Sequence, residues 1–116
     1  MRLVRKADFE AVYRRGAKLK SPQFVVFYSA SGSKRSRFGI SVKKALGGAV
    51  VRNRIRRRIR EILRRNFLEI PSGWDMVMHP RRSVASGDFG ALQAELVGLL
   101  RNLPPSASPS GIQAKR

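Results

Sequence analysis

The sequence contains no cysteine, one histidine and only seven acidic residues in 116. Without cysteine it has no disulfides, no thiolate metal site and no thiol nucleophile. A lone histidine, His79, makes neither a catalytic triad nor a metal site, and its position at a strand end reads as a surface residue. The acids are Asp8, Glu10, Glu61, Glu69, Asp75, Asp88 and Glu95. Most fall where helix caps, helix faces or turns are expected, and no two are paired for acid–base or two-metal work. Gly47-Gly48 lacks the Gly-Lys-Ser/Thr ending of a phosphate-binding loop. No apolar run approaches the ~18 residues of a membrane span, so no membrane partner is expected. Met1 to Lys6 has no apolar stretch behind its charges, so no secretory signal is expected either. These absences point to a cytoplasmic protein without a catalytic centre of its own.

What the chain has in excess is positive charge. Lys and Arg number 25, giving a formal net charge of +18. Charge of one sign at that density opposes compaction and favours a polyanionic partner. A protein working alone on a small-molecule substrate is not expected, and nucleic acid is the expected partner.

The apolar pattern predicts an α+β domain. A short helix is expected over 7–15, with Asp8 as its cap, Phe9, Val12 and Tyr13 as its stripe and Gly16 as its stop. Residues 23–30 are β-branched and aromatic and read as a strand, and Lys18-Leu19-Lys20 is a possible very short strand before it. Alternation over 37–43 gives another strand, with Phe38, Ile40 and Val42 on one face. The longest periodic segment carries Val51, Ile55, Ile59, Ile62, Leu63 and Phe67 and predicts a helix over about 50–68. A strand over 74–79 and a last helix opened by Ser86-Gly87-Asp88 follow. The expected product is a small mixed sheet with an N-terminal, a central Arg-rich and a C-terminal helix. Residues 1–103 form one RNA-binding domain in this reading, and the Pro- and Ser-rich stretch 104–116 is a disordered tail.

The central helix concentrates the charge. Arg52, Arg54, Arg56, Arg57, Arg58, Arg60, Arg64 and Arg65 lie within fourteen positions, with Glu61 the only acid among them. A solvated helix face normally mixes signs to gain i,i+4 pairs, whereas Arg52, Arg56 and Arg60 repel one another. At about 100° per residue, Arg57 and Arg64 lie opposite the stripe centred on Ile55 and Ile59. Such a face suits RNA, because a guanidinium fork grips phosphate and stacks on bases. The aromatics gather earlier. Phe24, Val26 and Tyr28 share one strand face, and Val25 and Phe27 the other. So short a chain cannot fill a core on both faces of a sheet. One face is expected to stay partly open, where aromatics beside cations can stack unpaired bases.

Residues 39–60 read Gly-Ile-Ser-Val-Lys-Lys-Ala-Leu-Gly-Gly-Ala-Val-Val-Arg-Asn-Arg-Ile-Arg-Arg-Arg-Ile-Arg. This segment closely resembles the signature of the bacterial ribonuclease P protein component, its specific part being Ala49 to Arg57 preceded by Ser41-Val42-Lys43-Lys44. Ala7 to Gly16 resembles the family's first helix, Phe24 to Tyr28 its following strand, and Trp74 to Ala85 its last strand and exit. The resemblance implies a basic subunit of a catalytic RNA that cuts the 5′ leader from precursor transfer RNA, with Mg²⁺ held by the RNA and none by the protein. It implies a left-handed strand–helix–strand crossover, as in one domain of a ribosomal protein, against the ~98% right-handed rule. By position it assigns Arg52, Asn53, Arg54, Arg57 and Arg60 to the RNA subunit. Phe9, Tyr13, Phe27, Lys43 and Lys44 fall to the single-stranded leader. Two departures stand out: Gly48 replaces the family's usual Asn, and Arg58 replaces an apolar residue beside the buried stripe.

Other classes account for less. A ribosomal protein shares the size and charge but has no reason to carry the 41–57 pattern. A protein-only nuclease lacks a site, and a nucleic-acid-condensing protein needs no aromatic cleft.

Overall fold

The computed structural model describes residues 6–32 and 34–104, with side chains from Phe9 onward except that of Arg15. The elements are α1 (Lys6–Arg15), β1 (Ala17–Lys20), β2 (Phe24–Ala30), β3 (Arg37–Ile40), α2 (Ala49–Arg65), β4 (Trp74–Pro80) and α3 (Phe89–Leu100). Short 3₁₀ turns occupy Lys44–Leu46, Phe67–Glu69 and Arg82–Ala85. α1 begins at Lys6, so Asp8 lies inside the helix rather than at its cap position; of the tail expectation for 104–116, all but Pro104 lies outside the described residues.

The strands form one sheet in the order β1-β2-β4-β3. β2 pairs antiparallel with β1 and β4, and β3 pairs parallel with β4, so the sheet is mixed and the α+β class stands. Parallel neighbours need a return crossing between them, and α2 supplies it as the middle of a β3–α2–β4 unit. Pairing of Phe27 with Val77 and of Val25 with His79 sets the register. One face of the sheet then presents Phe24, Val26, Met76 and Met78, all fully buried with Ile55, Ile59 and Ile62 of α2 and Leu92, Leu96 and Leu100 of α3. The opposite face carries a much smaller cluster. There Val12 and Val77 are buried, with Phe9 and Phe27 packed against them.

Polar groups fix the joints. Gly16 N–H donates to Val12 C=O at 2.8 Å and ends α1 as expected. A Cβ there would come within 2.4 Å of both the Val12 and Tyr28 carbonyl oxygens, so only glycine allows this close approach. Glu95 of α3 accepts from Ser21 Oγ–H and from the Gln23 backbone N–H, which ties the β1–β2 turn to the last helix. Burial pushes the Glu95 carboxyl up, but these hydrogen bonds outweigh it and the pKa is lowered. Asp88 caps α3 by accepting from Ala91 N–H at 2.9 Å.

Three further expectations need correction. β3 ends at Ile40 rather than at residue 43. Ser41 N–H still reaches Met78 C=O at 2.9 Å, but the next bond would need an N–H from Pro80, which has none. α2 ends at Arg65, where Asn66 Nδ2–H donates to both Ile62 C=O and Gln93 Oε1. Phe67 therefore leaves the stripe and stands 58% exposed in the turn that follows. Asp75 lies inside β4, within the expected strand, and is buried, with the Arg37 guanidinium clamped on both carboxylate oxygens at 2.9 and 2.8 Å. His79 is no simple surface residue, as its surroundings make plain.

Candidate nucleic-acid interface

The eight arginines of α2 divide by what they touch. Arg52 Nε–H donates to the Gly47 carbonyl at 3.1 Å, across a turn in which Gly47 has φ 147°. Arg56 donates to Asn53 Oδ1 on the same helix. Arg64 and Arg65 both clasp Glu61, and their hydrogen bonds hold that carboxyl down to about 2. Arg58 turns inward at the edge of the stripe. It donates to the Val84 and Gly87 carbonyls and lies 6.0 Å from the Phe89 ring centre. That bond set ties α2 to the loop entering α3, which makes Arg58 a structural residue that snorkels along the core edge. Arg54, Arg57 and Arg60 remain, all exposed and with no protein partner among the described residues. They are three donor forks on one solvent face, backed by the rigid stripe of Ile55 and Ile59.

The second surface lies on the thinly covered side of the sheet. Tyr13 of α1, Phe27 of β2 and His79 of β4 form a ring cluster. Tyr13 and Phe27 meet edge to face at 5.1 Å, and the imidazole lies 5.6 Å from Tyr13 and 5.2 Å from Phe27. The Tyr13 hydroxyl and His79 Nε2 are 2.8 Å apart. Burial raises the Tyr13 pKa, and a hydrogen bond from Ser41 opposes the shift. Burial also lowers the His79 pKa, with the Lys43 charge adding to the effect, so the imidazole is neutral near pH 7. Lys18 Nζ sits 5.8 Å from the Phe27 ring centre.

Beside these rings lies a depression of about 340 Å³ lined by Ser41, Lys43, Leu46, His79, Arg81 and Arg82, among others. Arg82 also lines a neighbouring depression with Val50, Val51 and Arg54 of α2. Arg82 thus joins the depression at His79 to the arginine face.

The residues singled out for the leader are partly gathered there. Lys43 lines the depression, while Tyr13 and Phe27 touch each other and His79 beside it without lining it. Phe9 packs behind them against Val12 and Val77. Lys44 is exposed in the turn after Lys43 and does not line the depression. Those singled out for the RNA subunit lie along α2, where Arg54, Arg57 and Arg60 are free while Arg52 and Asn53 have intramolecular partners. Sequence reasoning missed Ser41, His79, Arg81 and Arg82. His79 lies in β4 and the other three follow strand ends, and which of these ends lie side by side was not visible in the sequence.

A sequence model of the ribonuclease P family matches residues 1–104. The chain is 37% identical over 106 residues to the ribonuclease P protein component of Thermotoga maritima, covering 88% of this chain and 91% of that one. It is 38% identical over 112 residues to that of Acidothermus cellulolyticus, covering 95% and 93%. The solved ribonuclease P protein of Thermotoga maritima superposes with a TM-score of 0.83 at 36% identity, over 90% of this chain and 98% of that one. The Staphylococcus aureus protein does so at 0.77 and 33% identity, over 86% and 92%.

The chain belongs to the ribonuclease P protein family. It is accordingly an accessory protein component of ribonuclease P, the ribonucleoprotein endoribonuclease of transfer-RNA processing, and membership implies partnership with the RNA subunit. Against the family's pattern, Gly48 serves as the N-cap of α2 without a side-chain cap, and a Cβ there would meet nothing within 4 Å. Among the described residues no helix is long and apolar enough to cross a membrane.

Proposed function

We propose that this ribonuclease P protein holds the single-stranded 5′ leader of precursor transfer RNA in the groove beside Tyr13, Phe27 and Lys43. Phe9 supports the rings from behind and Lys44 adds charge at the groove's end. The outer face of α2, through Arg52, Asn53, Arg54, Arg57 and Arg60, docks on the catalytic RNA. The observation that carries this reading is the join at Arg82, which lines both the depression at His79, beside the Tyr13 and Phe27 rings, and the pocket containing Arg54. One strand of RNA can leave the groove and another lie along α2 with cations at every step. Stacking on Tyr13 and Phe27 is worth about 1–3 kcal/mol per base, and each neutralised phosphate adds a salt-dependent increment.

The chemistry in this reading belongs to the RNA. Among the described residues no group of three or more His, Asp or Glu side chains could hold a metal ion. Mg²⁺ is assigned to the RNA, and the protein's part is to bind substrate and reduce repulsion between the two RNAs. The proposed compartment is the cytoplasm, and no membrane or small-molecule partner is invoked. The test is reconstitution with the cognate catalytic RNA. Leader-bearing precursor is expected to bind more tightly than leaderless substrate, at lower Mg²⁺ than the RNA needs alone. Repurified, RNA-free protein is expected to leave precursor intact, and cleavage by it would overturn the reading.

A further inference from the structure

The aromatic cluster contains one group that stacking does not explain. His79 is half-buried beside Tyr13 and Phe27, yet its imidazole is polar on both sides and only one side is used. Nε2 faces the Tyr13 hydroxyl at 2.8 Å. Where the Tyr13 hydroxyl donates across this pair, Nε2 is the acceptor. The ring proton of the neutral imidazole then sits on Nδ1. Nδ1 has no partner among the described residues, although His79 lines the groove. In that tautomer Nδ1–H is the free donor of a residue that lines the groove, backed by Tyr13 at Nε2.

We propose that His79 is a specificity residue, donating from Nδ1 to an acceptor on the edge of one unpaired leader base. This rests on the leader-groove reading above. A base is favoured over a phosphate as the target because of what surrounds the imidazole. Tyr13 from α1 and Phe27 from β2 offer ring surfaces, with Lys18 of β1 over the Phe27 ring. Lys43 after β3 and Arg81 and Arg82 after β4 line the same depression and supply the phosphate contacts. The neutral imidazole is the group left to read an edge. Its ring centre lies within 5.6 Å of both rings, so the rim of a base stacked on them falls within its reach.

Three variants separate direct reading from mere support of Tyr13. Asn at this position carries an amide N–H near where Nδ1 stands. Gln carries its terminal group near Nε2, and Leu carries neither. The holoenzyme is reconstituted with the cognate RNA, and precursor affinity is measured with each base in turn at each leader position. The parent is expected to discriminate among bases at one position by about three- to ten-fold, the worth of one hydrogen bond. His79→Leu and His79→Gln are expected to erase that spread, and His79→Asn to keep it. Thermal melting of each variant confirms that it folds. No base preference in the parent would overturn the proposal, as would an unchanged spread in His79→Leu. So would a spread kept by Gln and lost by Asn, since His79 would then act only by positioning Tyr13. Phe27→Ala distinguishes the two levels of the argument. If it leaves the preference for leader-bearing substrate intact, the groove reading fails. If it removes that preference while His79→Leu leaves the base spread unchanged, only the role of His79 fails.

Discussion

The two faces of the sheet are built from the same strands and treated oppositely. Phe24 and Phe27 are three residues apart on β2. Phe24 is sealed under α2 and α3, while Phe27 stays partly exposed beneath side chains of the ten-residue α1, with Lys18 and His79 at its ring. The same alternation on β4 sends Met76 and Met78 into the core and Val77 and His79 to the other side. Core and candidate site therefore differ by one residue of register, not by location in the chain. The closed face supplies the stability that leaves the open one free to hold rings and cations in place for a ligand.

The sharpest way to break this comparison is to empty both phenylalanine sites. Phe24→Ala is expected to cost about 3–5 kcal/mol of folding stability, with any loss of RNA binding following from unfolding. Phe27→Ala is expected to lower the melting point less, because its ring is only partly covered. Denaturant unfolding of the two variants checks the order, and a larger loss at Phe27 would make the open face the true core.

A second comparison lies within α2. Arg58 and Arg57 are adjacent, but Arg58 donates to two carbonyls and Arg57 to none among the described residues. Arg58→Leu is expected to cost about 1–3 kcal/mol by leaving the Val84 and Gly87 carbonyls without their donor. Arg57→Ala and Arg60→Ala are expected to stay within about 0.5 kcal/mol of the parent. Each should instead flatten the salt dependence of RNA binding, by about 0.7–0.9 in slope for every phosphate contact removed. Measuring stability and salt slope on the same variants separates a structural arginine from a binding one.

Acid provides a gentler probe of the open face. Burial and Lys43 lower the His79 pKa in the folded protein, so the unfolded chain binds the proton more readily. This contribution to stability is present in full above the unfolded value near 6.5. It is lost as pH falls through the lower folded value. The melting temperature of the parent is expected to fall as pH drops from about 6.5 through the folded value, and His79→Gln should remove part of the fall. An equal fall in both would place the acid sensitivity elsewhere. The smallest effect belongs to the helix start. Gly48→Asn should gain a few tenths of a kcal/mol by capping α2, since nothing stands in the way of the new side chain.

Much of this was legible in the residues alone. The stripe from Ile55 to Leu63 identified α2, and Gly16 its predecessor's end. Alternation separated Phe24 from Phe27 correctly. Element ends were less legible, because they depend on partners. β3 stops where Pro80 of a distant strand lacks an N–H, and α2 stops where Asn66 finds Gln93. The site was half visible for the same reason. Tyr13 and Phe27 carried an aromatic signal, whereas His79 gains its meaning only when β4 is laid beside β2 in the register that pairs it with Val25. Charge counting also overstated the arginine face, since Arg58, Arg64 and Arg65 are taken up by the protein itself.

The most direct test of the central claim is the affinity ratio for leader-bearing over leaderless precursor, measured in reconstituted holoenzyme carrying Phe27→Ala. The ratio is expected to fall toward one, by about 1–3 kcal/mol in free energy, while leaderless substrate binds as to the parent. A ratio equal to the parent's, in a variant that folds and assembles, would contradict the assignment of the open sheet face to the leader.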